Sequence, residues 1–226
     1  MSVTVVIPTV NRVELLTRAI NSVINQTYKD FEILVVDNWS TDGTPESVEN
    51  FMKSDCRIKY YRTPYPTLTP TLSRNLAISK AKYPFIAFLD DDDEWMPKKL
   101  QLQLQEMTPD CGLSYTDVVK IRNGKIIGFV IDNQAKVNLN KANHIPLSAV
   151  LIRKECFDKH GLFNSALFPA EDWDMWLRIA PYYKFSCVSK LLVKYHKHSR
   201  NMSRDWLSMW RANRRVRYAN RRRLKA

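Results

Sequence analysis

Three runs in the first part of the chain, Val3–Ile7, Phe31–Val36 and Pro84–Leu89, are dominated by apolar and β-branched residues. They lack the strict alternation of a strand with one wet face. Such runs are expected of strands buried on both sides, the usual state of a parallel sheet covered by helices. Between them lie patterns of a different period. Val13, Leu16, Ile20, Val23 and Ile24 recur at helical spacing, and further helices are expected over Pro45–Met52 and Leu72–Ala81. Arg57–Tyr61 reads as another strand, and the Pro-rich Thr63–Pro70 as a loop. Pro97 opens a helix running to about Met107, with Asp93 or Glu94 placed to cap it. This β-α-β-α order predicts an α/β fold with a Rossmann-like, mostly parallel central sheet and helices on both faces.

In such sheets ligands bind beyond the carboxyl ends of the strands. Three polar clusters fall there: Thr9–Arg12, Asp37–Asp42 and Asp90–Glu94. They are distant in sequence, and the topology brings them to one edge. The second half reads differently. Leu113–Ile121 and Lys125–Ile131 flank Asn123–Gly124, a hairpin signal. Asn133–Asn143 reads as a loop, Leu147–Ile152 as a strand and Asp172–Ala180 as a helix. Phe185–Val188 and Leu191–Tyr195 read as two short strands.

Asp90–Asp93 places four carboxylates in a row after a buried strand. Their mutual repulsion is costly unless a cation sits among them. Hard divalent ions, magnesium or manganese, take carboxylate oxygens and can bridge a diphosphate. The alternative is a solvated acidic loop at the start of the next helix. The wider composition removes other classes. No apolar run is long enough to span a membrane, and no basic-flanked leader precedes Val3. Cys56, Cys111, Cys156 and Cys187 form no CxxC pair, so neither a zinc site nor a redox motif is expected. These features favour a cytoplasmic protein. With 5 glycines in all, there is no Gly-rich phosphate loop of the kind nucleotidyltransferases carry.

The segment Phe88-Leu-Asp-Asp-Asp-Asp-Glu-Trp-Met-Pro97 resembles the metal-binding segment of inverting family 2 glycosyltransferases, which have the GT-A fold. Val5-Val-Ile-Pro-Thr-Val-Asn-Arg12, Asn25-Gln-Thr-Tyr28, Phe31-Glu-Ile-Leu-Val-Val-Asp37, Ser40-Thr-Asp-Gly-Thr44 and Ser73-Arg-Asn-Leu-Ala77 resemble further parts of that family, in the family's order. Ala170-Glu-Asp-Trp-Asp-Met-Trp-Leu-Arg178 resembles the acidic helix start that supplies its base. The resemblance covers about residues 3–203. It implies a nucleotide-sugar site at Pro8, Thr9, Asn11, Asp37, Asn38, Arg74 and Asp91. It implies metal ligands at Asp90, Asp92 and His198 for Mn2+ or Mg2+, and Asp172 as catalytic base. Two departures bear on the nucleotide. Val10 stands where the family has an aromatic residue, and Asn38-Trp39 where it has an aspartate and a small residue. A UDP-sugar is the first choice of donor, with Asn38 able to pair with a uracil edge through its amide.

From the residues alone, Glu171 and Asp172 serve equally to favour a helix N-terminus, and His198 is equally a solvated loop histidine. The C-terminal end adds a separate feature. From Arg204 to Ala226 nine basic residues face one acid, so +8 of the net +12 lies there and +4 in the remainder. Trp206, Leu207, Met209 and Trp210 precede the arginines. This is either an interfacial helix on an anionic membrane surface or a terminal helix packing its aromatics on the domain.

The expected organisation is a GT-A catalytic domain over 1–203, followed by a basic tail over 204–226. Within the domain, 1–110 would bind the nucleotide and 111–203 the acceptor. The expected function is metal-dependent, inverting transfer of a sugar from the nucleotide donor to a hydroxyl of a glycan or lipid-linked acceptor in polysaccharide biosynthesis, peripherally at the inner face of a membrane. The alternatives are glycosylation of nucleic acid, or a non-catalytic nucleic-acid-binding protein on the same fold. The acids would repel phosphate, and no stacked-aromatic nucleic-acid motif is present.

Overall fold

The computed structural model describes residues 1–131, 139–198 and 206–221. Nine strands form one sheet. The first half supplies β1 (Val3–Thr9), β2 (Phe31–Asp37), β3 (Ile58–Arg62) and β4 (Phe85–Phe88), in spatial order β3-β2-β1-β4, all parallel. Helices α1 (Val13–Ile24), α2 (Thr44–Ser54) and α3 (Thr71–Lys80) connect them. Every residue of β1 and β2 is buried, as the apolar runs require. Their side chains alternate between two cores. Val3, Val5 and Ile7 pack under α1, whereas Val6, with Leu34 and Phe88, packs under α3.

The sheet continues through the second half without a break. β5 (Glu94–Trp95) and α4 (Lys99–Gln105) lead to β6 (Cys111–Arg122) and β7 (Lys125–Val130). Then come β8 (Leu151–Arg153), α5 (Lys154–His160), α6 (Glu171–Ile179), β9 (Lys184–His196) and α7 (Trp206–Ala219). β8 joins the halves, antiparallel to both β4 and β6. β6 and β9 run parallel and long, so the parallel framework extends past the join. Among the described residues every antiparallel pairing involves a strand after residue 110. The α/β class, with helices on both faces, is as expected.

Several local expectations are corrected. Asp93 and Glu94 do not cap a helix. α4 begins at Lys99 after Lys98, with no side-chain cap, and Glu94 lies in β5. Phe185–Tyr195 is part of one strand, β9, because β6 offers it a continuous partner. The strand expected at Leu147–Ile152 is a 3-10 turn, Leu147–Ala149, followed by the three-residue β8. α5 had no expectation at all. The hairpin is as expected: Asn123 and Gly124 take φ of 49 and 74°, the double left-handed turn that such a dipeptide favours. The loop expected at 133–143 lies mostly outside the described residues.

Phe88 shows how the fold sets up the strand end that precedes the acidic run. Its ring is fully buried and meets Phe157 and Phe163 edge-on, with centroids 6.1 and 5.4 Å away. Edge-to-face pairs of this kind add to the area term of burial. Phe88→Ala should therefore cost about 3–5 kcal/mol in urea unfolding. A loss below about 1 kcal/mol would show that the three-ring cluster is not packed as described.

Candidate active site

The strand ends converge as the topology demands. The Thr9 hydroxyl, at the end of β1, donates to Asp91 Oδ2 at 2.8 Å. Arg12 Nη1 donates to Asp91 Oδ1 at 2.9 Å and to Asp92 Oδ2 at 3.3 Å. Arg18 Nη2, one turn along α1, donates to the Asp92 carbonyl at 2.6 Å. The acidic loop after β4 is thus bound to the loop and helix after β1. Burial pushes Asp91 up to about 6, against the pull of Arg12.

Asp90, Asp92 and Asp93 each bring an oxygen within 4.8 Å of the others. Asp93 is fully buried; its Oδ1 accepts from His196 N at 3.2 Å, and its Oδ2 is buried without a hydrogen-bond partner. Burial, then Asp92 and Asp90, raise its carboxyl well above the ordinary range. A hard divalent cation fits this donor set, because it would occupy the orphaned oxygen and offset the repulsion. His198 Nε2 lies 2.8 Å from Asp92 Oδ2, beside this cluster, while His196 Nε2 lies 2.7 Å from Glu94 Oε1.

Two clefts open on this loop. The first, of about 230 Å³, is lined by Pro8, Thr9, Asn38, Arg74, Asp91 and Asp92, among others. Two residues expected beside them take a different place. Asp37 is fully buried and accepts from Ser40 N at 2.9 Å, from the Ser40 hydroxyl, from Tyr60 OH at 2.5 Å and from Arg62 at 3.3 Å. Asn11, with φ of 51°, accepts from Thr41 N at 2.7 Å and donates its own N–H to Ser40 at 2.8 Å. Both brace the loop after β2, and neither lines the cleft. Asn38 lines the cleft, but its amide is engaged at both ends: Nδ2 donates to Thr67 O at 2.7 Å, and Oδ1 accepts from Thr67 N at 2.8 Å.

The second cleft, of about 480 Å³, holds Asp172, Asn143, Lys120, Lys197 and Met209. It shares Pro70, Arg74, Asp90 and Tyr195 with the first. Asp172, at the start of α6, accepts from Trp173 N at 2.7 Å and from Asn143 Nδ2 at 2.8 Å. Burial and the neighbouring Glu171 push it up to about 7. Glu171 itself points elsewhere. It receives Arg74 Nη1 at 2.8 Å, while Arg74 Nη2 reaches Asp90 Oδ1 at 2.7 Å. Asp174 is buried on Arg178 and Asn220, at 2.9 and 2.7 Å, in a structural role. Sequence reasoning missed Asn143, which sat in an expected loop, and Tyr195, which only the β6–β9 register places. Asp93 carried a signal, the acidic run itself, but nothing that ranked it above Asp91.

A continuous mixed sheet, with a carboxylate cluster at its strand ends between two clefts, is the arrangement of the GT-A sugar-nucleotide transferases. The chain belongs to glycosyl transferase family 2, whose family model matches residues 4–143. It is 34% identical over 185 residues to the Escherichia coli enzyme WfgD, a UDP-Glc:α-D-GlcNAc-diphosphoundecaprenol β-1,3-glucosyltransferase, covering 78% of this chain and 69% of that one. It is 32% identical over 199 residues to an uncharacterised glycosyltransferase of Rickettsia bellii, covering 85% of this chain but spanning only 28% of the relative. Among solved structures, a mannosyltransferase from Pyrobaculum calidifontis, in complex with GDP-Man and Mn2+, superposes with a TM-score of 0.77 at 18% identity. That match covers 97% of this chain and 64% of that one.

The Asp172 environment makes a prediction about stability. Its carboxyl rises from 3.8 to about 7 on folding, so the folded chain holds that proton more tightly than the unfolded chain does. The resulting stabilisation is complete below about pH 4 and is lost as pH rises through about 7. Asp172→Asn lacks this loss, so its Tm relative to the native protein should climb between those pH values. Parallel Tm–pH curves for the two proteins would refute the assigned environment.

Proposed function

We propose that this chain transfers a sugar, with inversion, from a nucleoside-diphosphate donor to a hydroxyl of a lipid-linked or glycan acceptor. The observation that carries the reading is the junction of the two clefts at Arg74 and Asp90, with the carboxylate cluster on one side and Asp172 on the other. The first cleft takes the donor and the second the acceptor. Asp90, Asp92 and Asp93 would hold a manganese or magnesium ion, with His198 beside Asp92. When bound, that ion neutralises charge on the departing diphosphate.

The chain's own residues then have separate tasks. Asp172 takes the proton from the attacking acceptor hydroxyl. The new bond forms at the anomeric carbon as its bond to the diphosphate oxygen breaks. A carboxyl raised to about 7 is far more basic than an ordinary aspartate while still largely or half ionised near neutrality, which suits a general base. Asn143, donating to Asp172 Oδ2, holds the carboxylate toward the acceptor cleft. Arg12 and Thr9 keep Asp91 on the donor side, where it meets the ribose.

UDP is the first choice of nucleotide, supported by the UDP-Glc specificity in WfgD's name, although the Pyrobaculum enzyme binds GDP-Man. A lipid-linked diphosphate acceptor follows from the same relative. Such a substrate calls for a peripheral protein at the cytoplasmic face of a membrane, and among the described residues no helix is long and apolar enough to cross one.

The test is a screen of nucleotide sugars by thermal shift and by hydrolysis, with manganese and magnesium. Asp172→Asn should retain UDP binding and lose about 10²–10⁴-fold in transfer. Normal transfer by that variant moves the base elsewhere. Asp92→Asn should abolish the metal-dependent part of nucleotide stabilisation, and an undiminished manganese effect would remove the cluster assignment.

A further inference from the structure

The hairpin of β6 and β7 carries an apolar surface that nothing in the transfer reaction uses. Ile126, Ile127, Phe129 and Ile131 are 62, 46, 50 and 67% exposed. Among the described residues β7 pairs only with β6, so its outer edge is open. An exposed apolar edge strand is an association site unless something covers it. Its charge says what does. Lys120, Arg122 and Lys125 lie in the hairpin, and no acid occurs between residues 118 and 131.

A second element repeats this chemistry. α7 packs on the body through Ala212 and Val216, one helical turn apart, and Asn220 just past its end is buried on the same side. Its other side exposes Trp206 at 69% and Trp210 at 49%, with Arg214 stacked over the Trp210 ring at 4.8 Å. No acid lies between Trp206 and Ala226. Both elements border the acceptor cleft: Lys120 and Val130 line it from the hairpin, and Met209 from α7.

We propose that the β6–β7 hairpin and α7 together dock this chain on an anionic phospholipid surface, with the acceptor cleft opening between them. Apolar side chains flanked by cations, without acids, match an interface where tails lie below negative headgroups. A second copy of the chain would bring a like-charged patch against this one, so self-association is disfavoured. The docking deepens the lipid-linked acceptor reading and rests on it only for why the cleft should face the bilayer.

The experiment is co-sedimentation of the full chain with phosphatidylcholine vesicles, with and without a third of phosphatidylglycerol. UDP binding and Tm are measured on the same samples. The native protein should bind the anionic vesicles and release them at high salt. Ile127→Ser with Phe129→Ser, and separately Arg122→Gln with Lys125→Gln, should each weaken that binding at least about tenfold with Tm unchanged. Trp206→Ser with Trp210→Ser should do the same from the helix side. Hairpin variants that bind as well as native protein overturn the proposal. So does equal binding to neutral vesicles. So does a native dimer in light scattering that the hairpin variants convert to monomer, since a second copy would then cover the surface. UDP binding reports on the donor cleft independently, so its failure bears on the proposed reaction and leaves the lipid result standing.

Discussion

Arg74 is the side chain on which the two clefts depend. It projects from α3, is buried, and donates to Asp90 at 2.7 Å and to Glu171 at 2.8 Å. These contacts tie a connecting helix of the first half to the acidic loop after β4 and to the start of α6. Burial opposes the guanidinium charge, but Asp90 and Glu171 outweigh it and raise its affinity for the proton. Arginine suits this role because its fork meets two carboxylates at once and stays charged. Losing one partner of such a network strands buried charge, a larger penalty than the network's net worth. The resemblance puts Arg74 among the nucleotide contacts. The structure adds that it is the strut holding the junction together.

The acids around that strut divide by environment. Asp91 is drawn to Thr9 and Arg12, which fixes the acidic loop on the β1 side. Asp90, Asp92 and Asp93 converge, and Asp93 keeps one oxygen buried with no hydrogen-bond partner among the described residues. Glu171 is neutralised by Arg74, and its neighbour Asp172 receives only neutral donors in direct contact. Adjacent carboxylates on one helix turn therefore differ in surroundings: one is half of an ion pair, while burial raises the other to about 7.

The parallel half of the fold was readable because its strands must be apolar on both faces and its helices on one, and both periods are visible in the residues. The convergence of Thr9 and Asp91 followed from the rule that ligands gather at carboxyl strand ends, whereas Arg74, on a helix, came only through the family resemblance. What could not be read depends on partners remote in sequence. Asp37 and Asn38 are held by Tyr60, Arg62 and Thr67, and no local pattern announces those contacts. β8 has three residues, too few to carry a period, and β9 reads as two strands because Ser189 and Lys190 interrupt its apolar run. α7 was expected either to lie on an anionic membrane surface or to pack its aromatics on the domain. It packs through Ala212 and Val216 instead, and Trp206 and Trp210 face outward.

One sheet spanning both halves keeps the two clefts in register. β4 delivers the acidic loop, β8 pairs with β4 and β6, and β6 pairs with β9. β9 then carries Tyr195 to the wall shared by both clefts, His196 to Asp93 and Glu94, and the chain beyond it carries His198 to Asp92. The acidic cluster is thus bounded by the first half of the chain on one side and by its last strand on the other. The second cleft adds walls from the hairpin, the segment around Asn143 and α7, and it meets the first at Pro70, Arg74, Asp90 and Tyr195.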